Sequence, residues 1–115
     1  MALMSVRNSS RGLLSVWLEP LGEDRWLKPG ETLRVRSDYE GDEQPFTVDL
    51  WVEDDDHAAG IENITVWIDQ GDCTTVVTTD DAGNTIECGH QRPPEVDQRW
   101  RAMTAERKQV SETEN

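Results

Sequence analysis

The sequence predicts an all-β domain, an immunoglobulin-like or related β-sandwich of six to seven strands, followed by a helical or disordered tail. Three observations carry this prediction. From Leu13 to about Glu87, apolar and polar residues alternate with the period of two that marks strands with one buried face. Clusters of Pro, Gly, Asn and Asp cut that alternation into runs of ordinary strand length. At Pro93-Pro94 the alternation stops and a helical spacing replaces it. The chain therefore divides into a β-sandwich domain over 1–90 and a Pro-initiated tail over 91–115.

The elements follow in order. A short edge strand fits residues 3–7. Leu14, Val16 and Leu18 share one face of the first clear strand, which Pro20 ends because it has no N–H to donate; Gly22 follows as a bend. Trp26 and Leu27 then fall in a short excursion. Pro29-Gly30 suits the central positions of a type II turn, where Pro presets φ and Gly accepts a positive φ. Beyond it Leu33 and Val35 lie on one face of a strand, with Thr32, Arg34 and Arg36 opposite. The whole stretch 16–35 reads as a corner that moves the chain between sheets.

Phe46, Val48, Leu50 and Val52 alternate with Thr47, Asp49, Trp51 and Glu53 in the most regular strand, its aliphatic stripe expected in the interior. Ile64, Val66 and Ile68 alternate with Thr65, Trp67 and Asp69 in the next. Residues 73–79 and 84–88, rich in Thr and Val, complete the count. Turns at 70–72 and 80–83 would make 61–88 a three-stranded meander. Segments 41–45 and 54–60 read as exposed acidic loops. In the tail, Val96, Trp100, Met103 and Val110 recur near helical spacing and predict a helix over 95–109. Glu95 and Asp97 at its start and Arg107 and Lys108 near its end complement the helix dipole. Residues 111–115 are expected to be disordered.

Asn8-x-Ser10, a strand ending Leu18-Glu19-Pro20-x-Gly22, and then Leu27-x-Pro29-Gly30-Glu31 leading into another strand resemble a group of small uncharacterised bacterial proteins. The match covers the segment from Asn8 to Val35 and consists mostly of turn formers. The resemblance implies a common β scaffold and no activity.

Charge is the strongest compositional signal. The chain carries 11 Lys/Arg against 24 Asp/Glu, a net charge of −13, and the imbalance is localised: between Arg36 and Arg92 there are 15 acids and no basic residue. Such a surface repels phosphate backbones, which disfavours nucleic acid as a partner, and attracts basic proteins and cations. No apolar run approaches the ~20 residues needed to cross a bilayer, so no membrane association is expected. Residues 1–11 lack a basic stretch followed by an apolar one, so a signal peptide is not expected and a cytoplasmic location is.

Trp17, Trp51 and Trp67 each sit on the parity opposite to the aliphatic stripe of their own strand, which points them away from the interior. Three indoles on neighbouring strands form a patch that needs a cover. One cover is the C-terminal helix, through Trp100 and Met103, with Arg99, Arg101 and Arg107 meeting the acidic body. The alternative is a protein partner, a second copy of the chain, or a sugar. With the acids of Asp54-Asp55-Asp56, these three indoles are the predicted partner-binding residues.

A metal site could draw on His57, Cys73, Cys88 and His90, with Cys88-Gly89-His90 placing two donors on one strand face. The set lacks the tight paired spacing of zinc sites and the well-placed Met of blue copper, so neither a metal nor another cofactor is expected. Two free thiols are the simpler reading. Counting back from Gly60, a calcium loop would need acids where Asp55, His57 and Ala59 stand, and the pattern fails. No nucleophile elbow, phosphate-cradling loop or His-Glu-x-x-His motif occurs, so an enzyme is not expected. The sequence thus points to a non-enzymatic acidic protein-interaction module. The alternatives are an immunity- or antitoxin-like inhibitor of a basic enzyme and a Cys/His metal-binding domain.

Overall fold

The computed structural model describes residues 1–113, with side chains described through Arg107. Seven strands form two sheets: β1 (Ala2–Arg7), β2 (Leu14–Glu19), β3 (Glu23–Leu27), β4 (Thr32–Ser37), β5 (Phe46–Trp51), β6 (Glu62–Ile68) and β7 (Val77–Thr79). One sheet has three strands in the order β1-β4-β7, and the other has four in the order β3-β2-β6-β5. A five-residue helix α1 (Asp54–Ala58) joins β5 to β6, and a long helix α2 (Pro94–Thr113) ends the described chain.

The space between the sheets is filled chiefly by the predicted stripes of three strands, β2, β4 and β6. Leu14, Val16, Leu18, Leu33, Val35, Val66 and Ile68 are buried together with Val6, Leu27, Phe46 and Ile86. Burial of these side chains, each contributing about 1.5–3 kcal/mol, is what holds the two sheets face to face. The pairing between strands is less regular than the stripes. β2 pairs antiparallel with β3 but parallel with β6, Val16 opposite Ile64 and Leu18 opposite Val66, so the four-stranded sheet is mixed.

The corner at 16–35 divides into two devices. Pro20 and Gly22 do not leave the sheet: after a cis Glu19–Pro20 bond, Gly22 at φ +69° donates its N–H to Leu18 O and the chain turns directly back as β3. The expected excursion around Trp26 is this third strand. Its alternation is hidden because Glu23, Asp24 and Arg25 are charged, although Asp24 and Arg25 are both buried. The change of sheet comes at Pro29-Gly30. There Glu31 donates its N–H to Lys28 O across the turn, and Gly30 has the positive φ a type II turn demands.

Asn8, fully buried, ties this corner to the start of the fold. Its amide nitrogen donates to Gly12 O and Leu27 O, its side-chain oxygen accepts from Ser10, and its backbone bonds Gly30 and Glu31. Gly12 is required by a close approach: a Cβ there would lie 2.0 Å from Gly60 O.

Three further expectations are corrected. The segment 61–88 is not a meander, because β6 and β7 lie in different sheets and residues 69–76 cross between them with a short 3₁₀ turn at Cys73–Thr75. The turn at 80–83 does fold the chain back beside β7. The returning arm, however, pairs with β7 through the single bridge Thr79–Thr85, made by the N–H of Asp80 to Asn84 O and of Ile86 to Thr78 O, so 84–88 is not a strand. Nor is 54–60 a plain loop. Glu53 caps α1 through backbone N–H groups of Asp55 and Asp56, and the acids of its first turn suit the positive end of the helix dipole.

The fourth correction concerns β5. Of its aliphatic stripe only Phe46 is buried; Val48 and Leu50, with Val52 just beyond the strand, are exposed, Leu50 by 72%. β5 is the edge of a four-stranded sheet that faces a three-stranded one, so its far half has no opposing strand.

Helix α2 begins where Pro94 supplies a preset φ at the first helical position. It runs past the predicted end at residue 109 to Thr113; the rest of the expected disordered end, 114–115, lies outside the described residues. Among the described residues, no helix is long and apolar enough to cross a membrane.

Candidate functional site

The outward parity of the predicted indoles builds a second layer on the far side of the four-stranded sheet. Register aligns Trp26, Ser15, Asn63 and Trp51 in one row across β3, β2, β6 and β5, and Asp24, Trp17, Thr65 and Asp49 in the next. The N-terminal part of α2 lies over the β3 and β2 end of these rows. Val96 is buried there, and the Trp100 ring meets Trp17 with centroids 5.2 Å apart and planes tilted by 54°. Trp26, 2% exposed, lies beneath.

One ion pair clamps the helix to the sheet. Asp24, 1% exposed, receives Arg92 Nη2 at 2.6 Å on Oδ1 and Arg92 Nε at 2.9 Å on Oδ2. The same Oδ2 accepts Trp26 Nε1 at 2.7 Å. Arg92 Nη1 reaches Asp97 Oδ1 at 3.1 Å, and its guanidinium sits 4.7 Å from the Trp100 ring centroid. Burial acts to raise the Asp24 pKa, but the hydrogen bonds from Arg92 and Trp26 and the Arg92 charge outweigh it, holding the carboxyl below the ordinary carboxylate value. The hydrogen bonds to Asp24, with its charge and the bond to Asp97, in turn raise Arg92 against the cost of burial. A bidentate guanidinium–carboxylate pair of this kind is both strong and directional.

Between this clamp and α1 lies an open cavity of about 330 Å³. Its walls are Trp17, Trp26, Trp51 and Trp100, with Val96 and Arg99 from α2; Glu53, Asp56 and Asn63 supply the rest of the lining. A polar chain runs beneath it. Trp17 Nε1 donates to Ser15 Oγ, Ser15 Oγ donates to Asn63 Oδ1, and Asn63 Nδ2 donates to Asp56 Oδ2. Trp51 Nε1 donates to Thr65 Oγ1 at 2.9 Å.

The structure separates the predicted partner-binding residues into two groups. Trp17, Trp51 and Asp56 converge on the cavity. Trp67 does not line it: 40% exposed, it stands one row further along β6 and donates Nε1 to Asp49 Oδ2. Asp54 and Asp55 are exposed on α1. The cover comes from Trp100 and Val96, while Met103 is 46% exposed. The expected basic contacts also shift. Arg101 pairs with Asp97 on its own helix, Arg99 lines the cavity, and Arg92, in the turn before the helix, makes the contact with the body.

The metal candidates are not brought together. Among the described residues no three His, Cys, Asp or Glu side chains form a ligand group. His57 lies on α1 with Nδ1 3.6 Å from Glu62, Cys73 opens the 3₁₀ turn, and Cys88 and His90 fall in a turn around Gly89 rather than on one strand face. Both thiols are free. A larger cavity, about 490 Å³, lies between the 30–32 corner and the 80–85 turn beside His90. Gln91 crosses near it, bonding Glu31 and Trp26 O, so its polar groups serve the corner.

Trp26, Asp24, Ser15, Asn63 and Arg92 were not legible as site residues. The signal for the first two is the parity of Glu23–Leu27, and for Arg92 its position as the first basic residue after a long acidic stretch.

Fold and site together define a small two-sheet β protein with an indole-lined cavity clamped beneath its C-terminal helix. Comparison of the chain with protein-family models, with curated proteins and with solved structures finds no match.

Proposed function

We propose that this chain is a non-enzymatic interaction module that docks a basic protein partner along the free edge of β5. The observation that carries the reading is that edge itself. Among the described residues Phe46–Trp51 pairs only with β6, and its outer side offers backbone groups without a strand partner, flanked by exposed Val48, Leu50 and Val52 on one face and Trp51 and Trp67 beside it on the other. Natural edge strands are usually blunted by Lys, Pro or a bulge; this one carries a single charge, Asp49. An extended segment adding to it would gain main-chain hydrogen bonds, with alternate side chains meeting the two apolar rows. The surrounding acids, from Asp38 to Glu62 with no basic residue among them, select a basic partner and hasten its arrival. A second copy is the poorer occupant, since it brings the same acids against one another. An inhibitor of a basic enzyme is the specific form of this function in which the docked segment belongs to that enzyme. Seven strands in two stacked sheets support the immunoglobulin-like class, and the parallel β2–β6 pair weighs against it.

The test is affinity capture from native cells at low and high salt, with Leu50→Lys beside the parent chain. A basic protein should be retained at low salt, released at high salt, and lost with Leu50→Lys. Leu3→Lys, at an exposed position on the edge of the other sheet, should retain it. Capture unaffected by Leu50→Lys, or no basic protein at low salt, overturns the reading.

A further inference from the structure

We propose that the cavity beneath α2 is a receptor for an alkylated ammonium group. Four of the chain's five tryptophans line it, a concentration that packing alone does not require, since the interior between the sheets contains none. Three of those four have their N–H groups already committed within the protein: Trp17 to Ser15, Trp26 to Asp24 and Trp51 to Thr65. The Asn63 amide is also engaged at both ends, its oxygen accepting from Ser15 and one N–H donating to Asp56. What these groups leave for a guest is aromatic surface and carboxylate oxygen. Asp56 Oδ1 carries no bond among the described residues, and Glu53 accepts only backbone N–H groups.

That combination selects among guests. Anions meet two carboxylates in a chain of net charge −13. A neutral apolar guest would take those carboxylates out of water without compensation. A primary ammonium or guanidinium brings several N–H donors, and the cavity has few acceptors for them. A fully alkylated ammonium has no donors to satisfy, spreads its charge over methyl groups, and is the cation that indole faces hold best. The molecule already contains this kind of contact in Arg92 against Trp100. Size agrees: a cavity of about 330 Å³ stands at the small end of the ~300–1,000 Å³ span of ligand sites, which fits one head group with a short stem. Arg99 is the unfavourable member of the lining, and it is an exposed side chain on the rim. This assignment does not rest on docking at β5, and it is measured on the protein alone.

The same head group occurs free, as in choline, or on a trimethylated lysine. Titration of the full chain with choline, with its neutral isostere in which carbon replaces nitrogen, and with a short peptide bearing trimethyllysine can follow indole fluorescence and heat. The ammonium should bind about tenfold more tightly than the isostere, since charge over indole is the discriminating contact. Trp51→Ala and Asp56→Asn should each weaken binding severalfold, Arg99→Ala should strengthen it, and Trp67→Ala, outside the cavity, should leave it unchanged. Tighter binding of the peptide than of choline would place the group on a protein, and the reverse would make it a free metabolite. Either result supports the proposal. Equal affinity for cation and isostere, no saturable binding of any ammonium, or insensitivity to both Trp51→Ala and Asp56→Asn overturns it.

Discussion

The two ends of the four-stranded sheet have the same outward-facing chemistry and opposite fates. At the β3–β2 end, Trp26 and Trp17 are covered by α2, and a carboxylate is buried beside them with its guanidinium partner. At the β6–β5 end, Trp51 and Trp67 stay in contact with solvent, and the aliphatic stripe behind them is bare as well. Residue type does not distinguish the two ends, since both carry indoles and acids. The difference is whether another part of the chain reaches them. Where α2 arrives, the indoles are gathered around one cavity; where it does not, Trp67 stands open to solvent.

The largest effect that would sharpen this contrast comes from Trp26→Ala. Emptying a fully enclosed indole site should cost about 4 kcal/mol, measured by denaturant unfolding, and a cost near that of a surface substitution would mean α2 does not seal the β3 end. Next in size is Arg92→Ala, which leaves the Asp24 carboxylate buried without its partner and should cost about 3 kcal/mol near neutral pH.

That cost should depend on pH in a definite sense. Asp24 titrates lower in the folded chain than unfolded, so its contribution is present above the ordinary carboxylate pKa, near 4, and is lost as pH falls through the lower folded value. The gap between parent and Arg92→Ala should therefore close on acidification, and a gap constant down to strong acid would place the clamp elsewhere. Glu31, held low chiefly by the Gln91 hydrogen bond, adds acid sensitivity of the same sign. The smallest effect is expected at the bare end, where Trp67→Ala should change stability by less than about 1 kcal/mol. A larger loss would show that this end, too, is packed.

Much of the fold is legible because strand periodicity is local. The stripes at 14–18, 33–35 and 64–68 face the interior as their alternation requires. The indoles at 17, 51 and 67 lie outside that interior for the same reason. Pro29-Gly30 is legible because a type II turn needs only its own residues. Asn8, Ser10, Leu27, Gly30 and Glu31 meet at one hydrogen-bonded corner, which joins residues too far apart in the chain for local pattern to pair them.

The features that were not legible all depend on distant partners. Glu23–Leu27 is a strand despite three charges because Asp24 finds Arg92 and Arg25 finds Thr78 and Ile86 O, residues far along the chain. Segment 54–60 contains a helix because Glu53 turns its carboxylate onto the first free N–H groups. The stripe of β5 is exposed because the facing sheet is one strand narrower, a count that no pattern within β5 records.

The sequence by itself determined which way each strand's side chains alternate, where the chain turns, and how its negative charge is distributed. The tertiary structure alone decided the parallel β2–β6 pairing, the burial of Asp24 with Arg92, and the gathering of four indoles around one cavity. The physical reason is range. Alternation and turn geometry are settled within a few residues, whereas a buried charge or a shared cavity exists only once segments remote in sequence are brought together to complete it.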